Sequence, residues 1–210
     1  MDQILEKLFE SPAKVRVLRL FLRNPDFMFT VPDLTRSTQL KTSQAKRELK
    51  KLEKLGLLKK KISSFKEEIP VKSRRHRKNK IIFKKKLVYF INQEFILYKT
   101  LRDLIAVASQ PSQKRLAEKI KRLGAIKLAV VAGIFISNDN SRADLLIVGD
   151  NIKKKKMEKL LADIESETGK ALNYVFMETG EFKYRMNMYD RFLRDILEFP
   201  HQKLINRLNL

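Results

Sequence analysis

Gly56 separates two incompatible periodicities. Upstream, from a start near Thr42 or Ser43, Ala45, Leu49, Leu52 and Leu55 recur at helical spacing. Downstream, Leu57 and Leu58 lead through three lysines to Ile62, and residues 84–92 alternate Leu87 and Tyr89 with Val88 and Phe90. A strand points successive side chains to opposite faces, so a helical stripe cannot run on as a strand. Glycine at the junction accepts the left-handed cap that releases the chain, and Leu57 supplies the accompanying apolar contact. A helix followed by a strand pair is therefore built into the sequence.

Two further helices precede this one. Ser11 caps the first and Pro12 sits at its entry; Val15, Leu18 and Leu22, with Val17 and Phe21, form a broad apolar stripe that Asn24-Pro25 ends. Thr30, Pro32 and Asp33 start a second, short helix over roughly residues 32–38, with Asp33 at the capping-box position. Between the two strands lies an expected basic loop, residues 63–83. It contains Lys72, Arg74, Arg75, Arg77, Lys78 and Lys80. Helix, helix, helix, strand, basic loop, strand is the order of a winged helix, in which the third helix is the recognition helix.

Residues 11–22 and 42–58, the latter with the phrase Arg47-Glu-Leu-Lys-Lys-Leu-Glu-Lys-Leu-Gly-Leu-Leu58, resemble the ArsR-like winged-helix domains of prokaryotic regulators. The chain departs from that pattern in its wing, which is longer and more basic. The resemblance implies duplex DNA as partner, with Thr42, Ser43, Gln44, Lys46, Arg47, Lys50 and Lys51 along the contact helix. Gln44, Lys46 and Arg47 suit base edges; Lys50 and Lys51 suit phosphates, and Thr42 has a second reading as a simple cap.

The charge distribution points the same way. The net charge is +22, and residues 59–86, with 13 Lys+Arg against 2 Asp+Glu, hold half of it. A device for solubility alone would be spread along the chain; a concentrated block is the composition of a phosphate-binding surface. The bland alternatives are a solvated helix face for residues 46–51 and a polyanion-binding loop, RNA included, for residues 72–80. Residues 87–110 are electrically neutral and carry an expected helix over residues 94–108, with Phe95, Tyr98, Leu101, Leu104, Ile105 and Ala108 on one face. It pairs two subunits or packs on its own chain.

Several classes fall away. Without cysteine there is no disulfide framework, zinc finger or thiol nucleophile. His76 and His201 have no second ligand at metal spacing, so no metal is expected. The longest apolar run, residues 128–136, is far short of the roughly 20 residues that span a bilayer. The amphipathic N-terminus does not read as a signal peptide, so a cytoplasmic protein without a membrane partner is expected.

From residue 112 the pattern becomes strand and helix in alternation. Helix is expected over residues 112–123, ended by Gly124, then a strand over 127–132, a turn at Gly133 and a strand over 144–148. A helix over 152–168 ended by Gly169, a strand over 172–177 and helix over 182–199 in one or two pieces follow, stopped by Pro200. Residues 153–156 read as a solvated lysine face. Residues 113–208, through Gly133 and the run Asp144-Leu-Leu-Ile-Val-Gly-Asp150, resemble the minimal nucleotidyltransferase fold. Active members place a Ser after that glycine, an Asp-x-Asp on the second strand and a third carboxylate on a later one. Here Ile134 stands at the Ser position, Arg142-Ala143-Asp144 at the Asp-x-Asp position, and residues 173–177 hold no carboxylate; Glu178 follows them. An always-charged guanidinium beside a single carboxylate does not hold two Mg²⁺ ions. No catalytic residue, cofactor or metal ligand is therefore expected. Met186, Met188, Tyr189 and Phe192 are expected in a core, and Phe135 in the space a nucleotide would need.

The whole reads as an α+β/α/β two-domain chain. It comprises a winged helix-turn-helix over 1–92, a linker or dimerisation helix over 93–111, and a nucleotidyltransferase-like α/β domain over 112–210. The expected function is sequence-specific double-stranded DNA binding by a homodimeric transcriptional regulator. The C-terminal domain then takes no part in catalysis and has room for an unidentified small-molecule or protein ligand. The alternatives are a nucleotidyltransferase targeted by its winged helix, and an RNA-binding protein.

Overall fold

The computed structural model describes residues 2–70, 79–108, 112–136 and 141–209. It is a mixed α/β structure with nine α-helices and two small sheets among those residues. No helix among them is long and apolar enough to cross a membrane.

The N-terminal half begins with α1 (Asp2–Phe9) and α2 (Pro12–Arg23). Ser11 caps α2 by accepting from the Lys14 amide at 3.1 Å, and Pro12 occupies the first turn, where its missing N–H costs nothing. α3 (Val31–Thr38) has the expected capping box: Thr30 Oγ1 accepts from the Asp33 amide and Asp33 accepts from the Thr30 amide. Such a cap contributes about 1 kcal/mol. α4 (Thr42–Lys54) buries Ala45, Leu49 and Leu52 and ends at Gly56 with φ +83°. Its N-cap is Lys41, without a side-chain hydrogen bond, so Thr42 is the first helical residue and not the cap.

Beyond Gly56 the structure differs from expectation at two places. The expected basic loop is largely strand: β1 (Leu58–Pro70) and β2 (Asn79–Ile91) pair antiparallel without a register break from Leu58↔Ile91 to Pro70↔Asn79. Thirteen residues at about 3.3 Å each make a ribbon roughly 40 Å long. β-Branched and aromatic residues continue across the ribbon past Ile62, and this outweighs the lysines that suggested a loop. The expected helix over 94–108 is shorter, α5 (Tyr98–Ala108). Asn92 donates its amide to Leu57 O and its side chain to Gly56 O, holding the chain to the strand end, and turns through Phe95 precede the helix.

Leu5, Val15, Leu18, Phe21, Leu34, Ala45, Leu49, Leu52, Leu58, Ile91 and Ile105 belong to one buried cluster drawn wholly from this half. Two further clusters come wholly from residues 116–205, one on each side of a four-stranded sheet. That sheet has the order β5-β4-β3-β6. β3 (Ala125–Val131) runs antiparallel to β4 (Leu145–Asp150) and β6 (Gln202–Asn206), whereas β5 (Tyr174–Met177) lies parallel to β4. The parallel pair requires a crossover, which α7 (Lys154–Thr168) provides. α6 (Gln113–Lys121) precedes the sheet; α8 (Thr179–Asn187) and α9 (Arg191–Glu198) fall between β5 and β6.

Strand β6 was not anticipated; its apolar Leu204 and Ile205 are adjacent in sequence and show no alternation. Gly124 does not cap α6, which ends at Lys121. A Cβ there would lie 2.9 Å from Asn151 O, so close backbone approach is what requires glycine. Met186 and Phe192 pack against the third cluster, but Met188 and Tyr189 are exposed, Tyr189 by 78%. They stand on the turn between α8 and α9, where Tyr189 has φ +53° and points away from the sheet-facing stripe. Phe135 is buried with Leu116, Ile126 and Leu145.

The two halves touch through the C-terminus of α7, which packs against α2 and α3. Arg23 donates to Thr168 O at 3.0 Å and Asn24 Nδ2 to Gly169 O at 2.6 Å, satisfying carbonyls that a helix end leaves unpaired. Gly169 has φ +72°, and a Cβ on it would lie 2.8 Å from Arg19 C and O. Only glycine permits both the turn and this approach.

Candidate nucleic-acid interface

Helix α4 is divided cleanly by its own periodicity. Ala45, Glu48, Leu49 and Leu52 are buried, while Thr42, Ser43, Gln44, Lys46, Arg47, Lys50 and Lys51 are all exposed. The seven expected contact residues therefore share the outward side of one helix. Lys51 Nζ is held 3.1 Å from Glu48 Oε1 one turn back. Among the described residues no acidic side chain pairs with Lys46, Arg47 or Lys50, so their charge is available to a ligand.

At its base the ribbon makes ion pairs with α4 and with the turn that follows β2. Lys60 Nζ lies 2.7 Å from Glu53 Oε1 of α4, and this hydrogen bond and charge raise the Lys60 ammonium above its ordinary value. Lys59 Nζ lies 2.9 Å from Glu94, whose carboxyl is held below the usual range by that bond. Such pairs near the surface contribute little stability; Lys60–Glu53 joins β1 to α4, and Lys59–Glu94 joins β1 to the turn after β2. Beyond them Lys61, Lys66, Lys84, Lys85 and Lys86 are exposed along the strands. Lys80 lies on β2 opposite Ile69. Lys72, Arg74, Arg75, Arg77 and Lys78 lie outside the described residues.

The sequence reading assigned the ribbon's charge but missed its faces. Across the ribbon, Lys60 pairs with Tyr89, Ile62 with Leu87, Ser64 with Lys85 and Lys66 with Phe83, and these share one face. On the opposite face Lys61 lies over the Phe90 ring at 5.3 Å, and Lys86 over the Phe65 ring at 5.7 Å. Period-two alternation through residues 58–66 and 83–91 was the available signal.

In the C-terminal half the carboxylate of Asp144, at the entry to β4, is turned inward. Asp144 is 6% exposed; its Oδ1 accepts from the Ile134 amide and its Oδ2 from the Asn173 amide, both at 2.9 Å. The carboxylate thus ties the turn after β3 to the chain entering β5. Gly133 has φ +52°, and a Cβ on it would overlap Asp144 Oδ1. Arg142 is paired with Asp195 of α9 at 2.6 Å. Glu178 is the exposed N-cap residue of α8. Asp150 Oδ1 and Oδ2 accept from the Thr179 amide and hydroxyl, which lower its carboxyl below the usual range. Among the described residues no three His, Cys, Asp or Glu side chains form a metal-binding group.

A cavity of about 370 Å³ lies between α6 and α7, lined by Arg115, Lys119, Arg122 and Glu167 among others. Lys119 and Glu167 pair across it at 3.0 Å. No family model, curated protein or solved structure matches the chain.

Proposed function

We propose that the chain is a sequence-specific, duplex-DNA-binding transcriptional regulator of winged-helix type. α4 enters the major groove and the basic ribbon runs along the backbone or the minor groove. The observation that carries this is the outward side of α4, where Thr42, Ser43, Gln44, Lys46, Arg47 and Lys50 stand exposed in one row beside a ribbon region of net charge +11. An α-helix fits the major groove, where small polar and forked cationic side chains distinguish base pairs. The cations of the ribbon add the salt-dependent, sequence-independent share of affinity.

The partner of this unit is a second copy. Ile96, Leu97, Leu104 and Val107 are exposed on α5 and the turns before it, in the one long segment without net charge. Chains of +22 repel each other over most of their surface, so self-association favours such a neutral apolar face. Two copies place two α4 helices on successive half-sites, as a palindromic operator requires. The replacement pair Leu104→Glu and Val107→Glu is expected to convert dimer to monomer in sedimentation velocity.

The C-terminal half is read as a nucleotidyltransferase-like module without catalysis. Both oxygens of Asp144 already accept from backbone amides, and Arg142 occupies the place of a metal-binding carboxylate. The assignment is tested by fluorescence anisotropy on the upstream duplex of the chain's own gene and on an unrelated duplex, through a salt series around 150 mM. A preference that survives higher salt supports a specific regulator. Affinities that are equal and vanish together refute it, and a preference for structured RNA identifies the alternative.

A further inference from the structure

The two faces of the ribbon differ in a way that binding to phosphates does not explain. On one face the aromatic rings of Phe65 and Phe90 lie under lysine ammoniums. On the other, Ile62 and Leu87 and, one pair farther past Ser64 and Lys85, Phe83 form an apolar stripe that is bare: Phe83 is 73% exposed and Ile62 70%. Ile62 and Leu87 sit directly opposite each other, and Phe83 follows along β2 on the same face. At its base this face belongs to the core, since Leu58, Ile91 and Tyr89 pack into the N-terminal cluster. Farther out, among the described residues, Ile62, Leu87 and Phe83 belong to no buried cluster. Three large apolar side chains held in water on a stiff arm are unfavourable to expose, at about 25 cal/mol for each Å².

We infer that this stripe is a wedge that enters the minor groove of duplex DNA, opens base steps and bends the helix toward the protein. The inference rests on the duplex-binding reading above. Charge selects the occupant. Lys66 and Lys85 share the face with the stripe, Lys84 and Lys86 flank it, and the whole segment carries +11, so only a polyanion approaches without repulsion. A protein surface acidic enough to do so would leave Phe83 and Leu87 against charge. The minor groove offers phosphates at both rims and stacked, apolar base faces between them. Phe, Leu and Ile inserted between base steps unstack them and kink the duplex by about 20–90°. The ribbon, roughly 40 Å long by its 13-residue strands, spans about one turn of DNA. With α4 held to β1 by the Lys60–Glu53 pair, bending shortens the path between the major groove read by α4 and the minor groove reached by the arm.

The experiment uses the full chain and a duplex of about 40 base pairs labelled with a donor and an acceptor at its two ends. Anisotropy on the same duplex reports binding independently. The wild-type chain is expected to raise energy transfer on saturation. Phe83→Ser combined with Leu87→Ser is expected to remove at least about two-thirds of that rise while affinity falls less than about tenfold, because phosphate contacts dominate binding. Phe83→Leu, which keeps an apolar wedge, is expected to retain most of the bend. Absence of binding by any form overturns the duplex-binding reading itself. Binding without a rise in energy transfer, or an equal rise with the serine variant, overturns the wedge alone. Dissociation of a wild-type dimer by the serine pair, with bending unchanged, assigns the stripe to a second copy and also overturns it.

Discussion

Helix α4 and the β3–β4 connection of the C-terminal sheet use charged residues in opposite directions. Along α4, Lys46, Arg47 and Lys50 face water with no acidic partner among the described residues, while the opposite side of the helix is packed with Ala45, Leu49 and Leu52. At the entry to β4, Asp144 directs both oxygens to the amides of Ile134 and Asn173, and Arg142 is neutralised by Asp195. A polar group satisfied inside the protein stabilises the fold and has little left for a ligand; one left toward solvent contributes little to the fold and remains free to bind. The first region leaves its charge open to solvent, and the second spends its charge on the fold.

The largest effect that separates them is Asp144→Ala. Two buried amides lose a charged acceptor, so unfolding free energy in urea is expected to fall by about 3 kcal/mol. Duplex affinity of the folded fraction should stay within a factor of two or so, since the site lies in the other half. Next is the pair Arg47→Glu and Lys50→Glu. Stability should change by less than about 0.5 kcal/mol, as for exposed positions without a structural partner. Affinity should drop about 100-fold, and the slope of log affinity against log salt should become shallower by about 2. An unchanged affinity would remove α4 from the interface.

A smaller effect tests how the regions are joined. Gly169→Ala places a Cβ against the Arg19 backbone and strains a residue at φ +72°, so about 1–2 kcal/mol of stability is expected to be lost. Hydrogen exchange should rise first at the amides of α7 that face α2. Asp150 gives the least effect. Its carboxyl is held low by Thr179 and is therefore stabilising above the unfolded-state value, with that contribution lost as pH falls through the folded-state value. Asp150→Asn should therefore lower stability slightly at neutral pH and flatten the acid limb, so that variant and wild type converge at low pH, as read by thermal unfolding from neutral through an acidic pH series.

Much of the N-terminal half was legible because its signals are local. Ser11, the Thr30–Asp33 pair and Gly56 each act within a few residues of themselves, so caps and helix ends follow from spacing. The same holds for Gly169 at the end of α7. The extent of the ribbon was not legible. Lysines and serines in residues 59–66 weaken the apparent alternation, and it is pairing with residues 83–90 that makes them a strand. Strand β6 was hidden for the same reason: Gln202–Asn206 has no pattern of its own and is ordered by the free edge of β3. Met188 and Tyr189 misled because their helical spacing looks like a core stripe, while the turn between α8 and α9 carries them off the sheet.

By itself the sequence determined most of the helical segments and several of their ends, though not α1, the start of α5 or the end of α6, and that positive charge is concentrated between residues 59 and 86. These are properties of neighbours in the chain, set by periodicity and capping. Only the tertiary structure decided that seven polar residues of α4 stand together on an open side, that an apolar stripe is left bare on the ribbon, and that Asp144 is consumed by amides ten and twenty-nine residues away. Whether a side chain meets water or a partner depends on what packs against it, and that partner comes from a distant part of the chain.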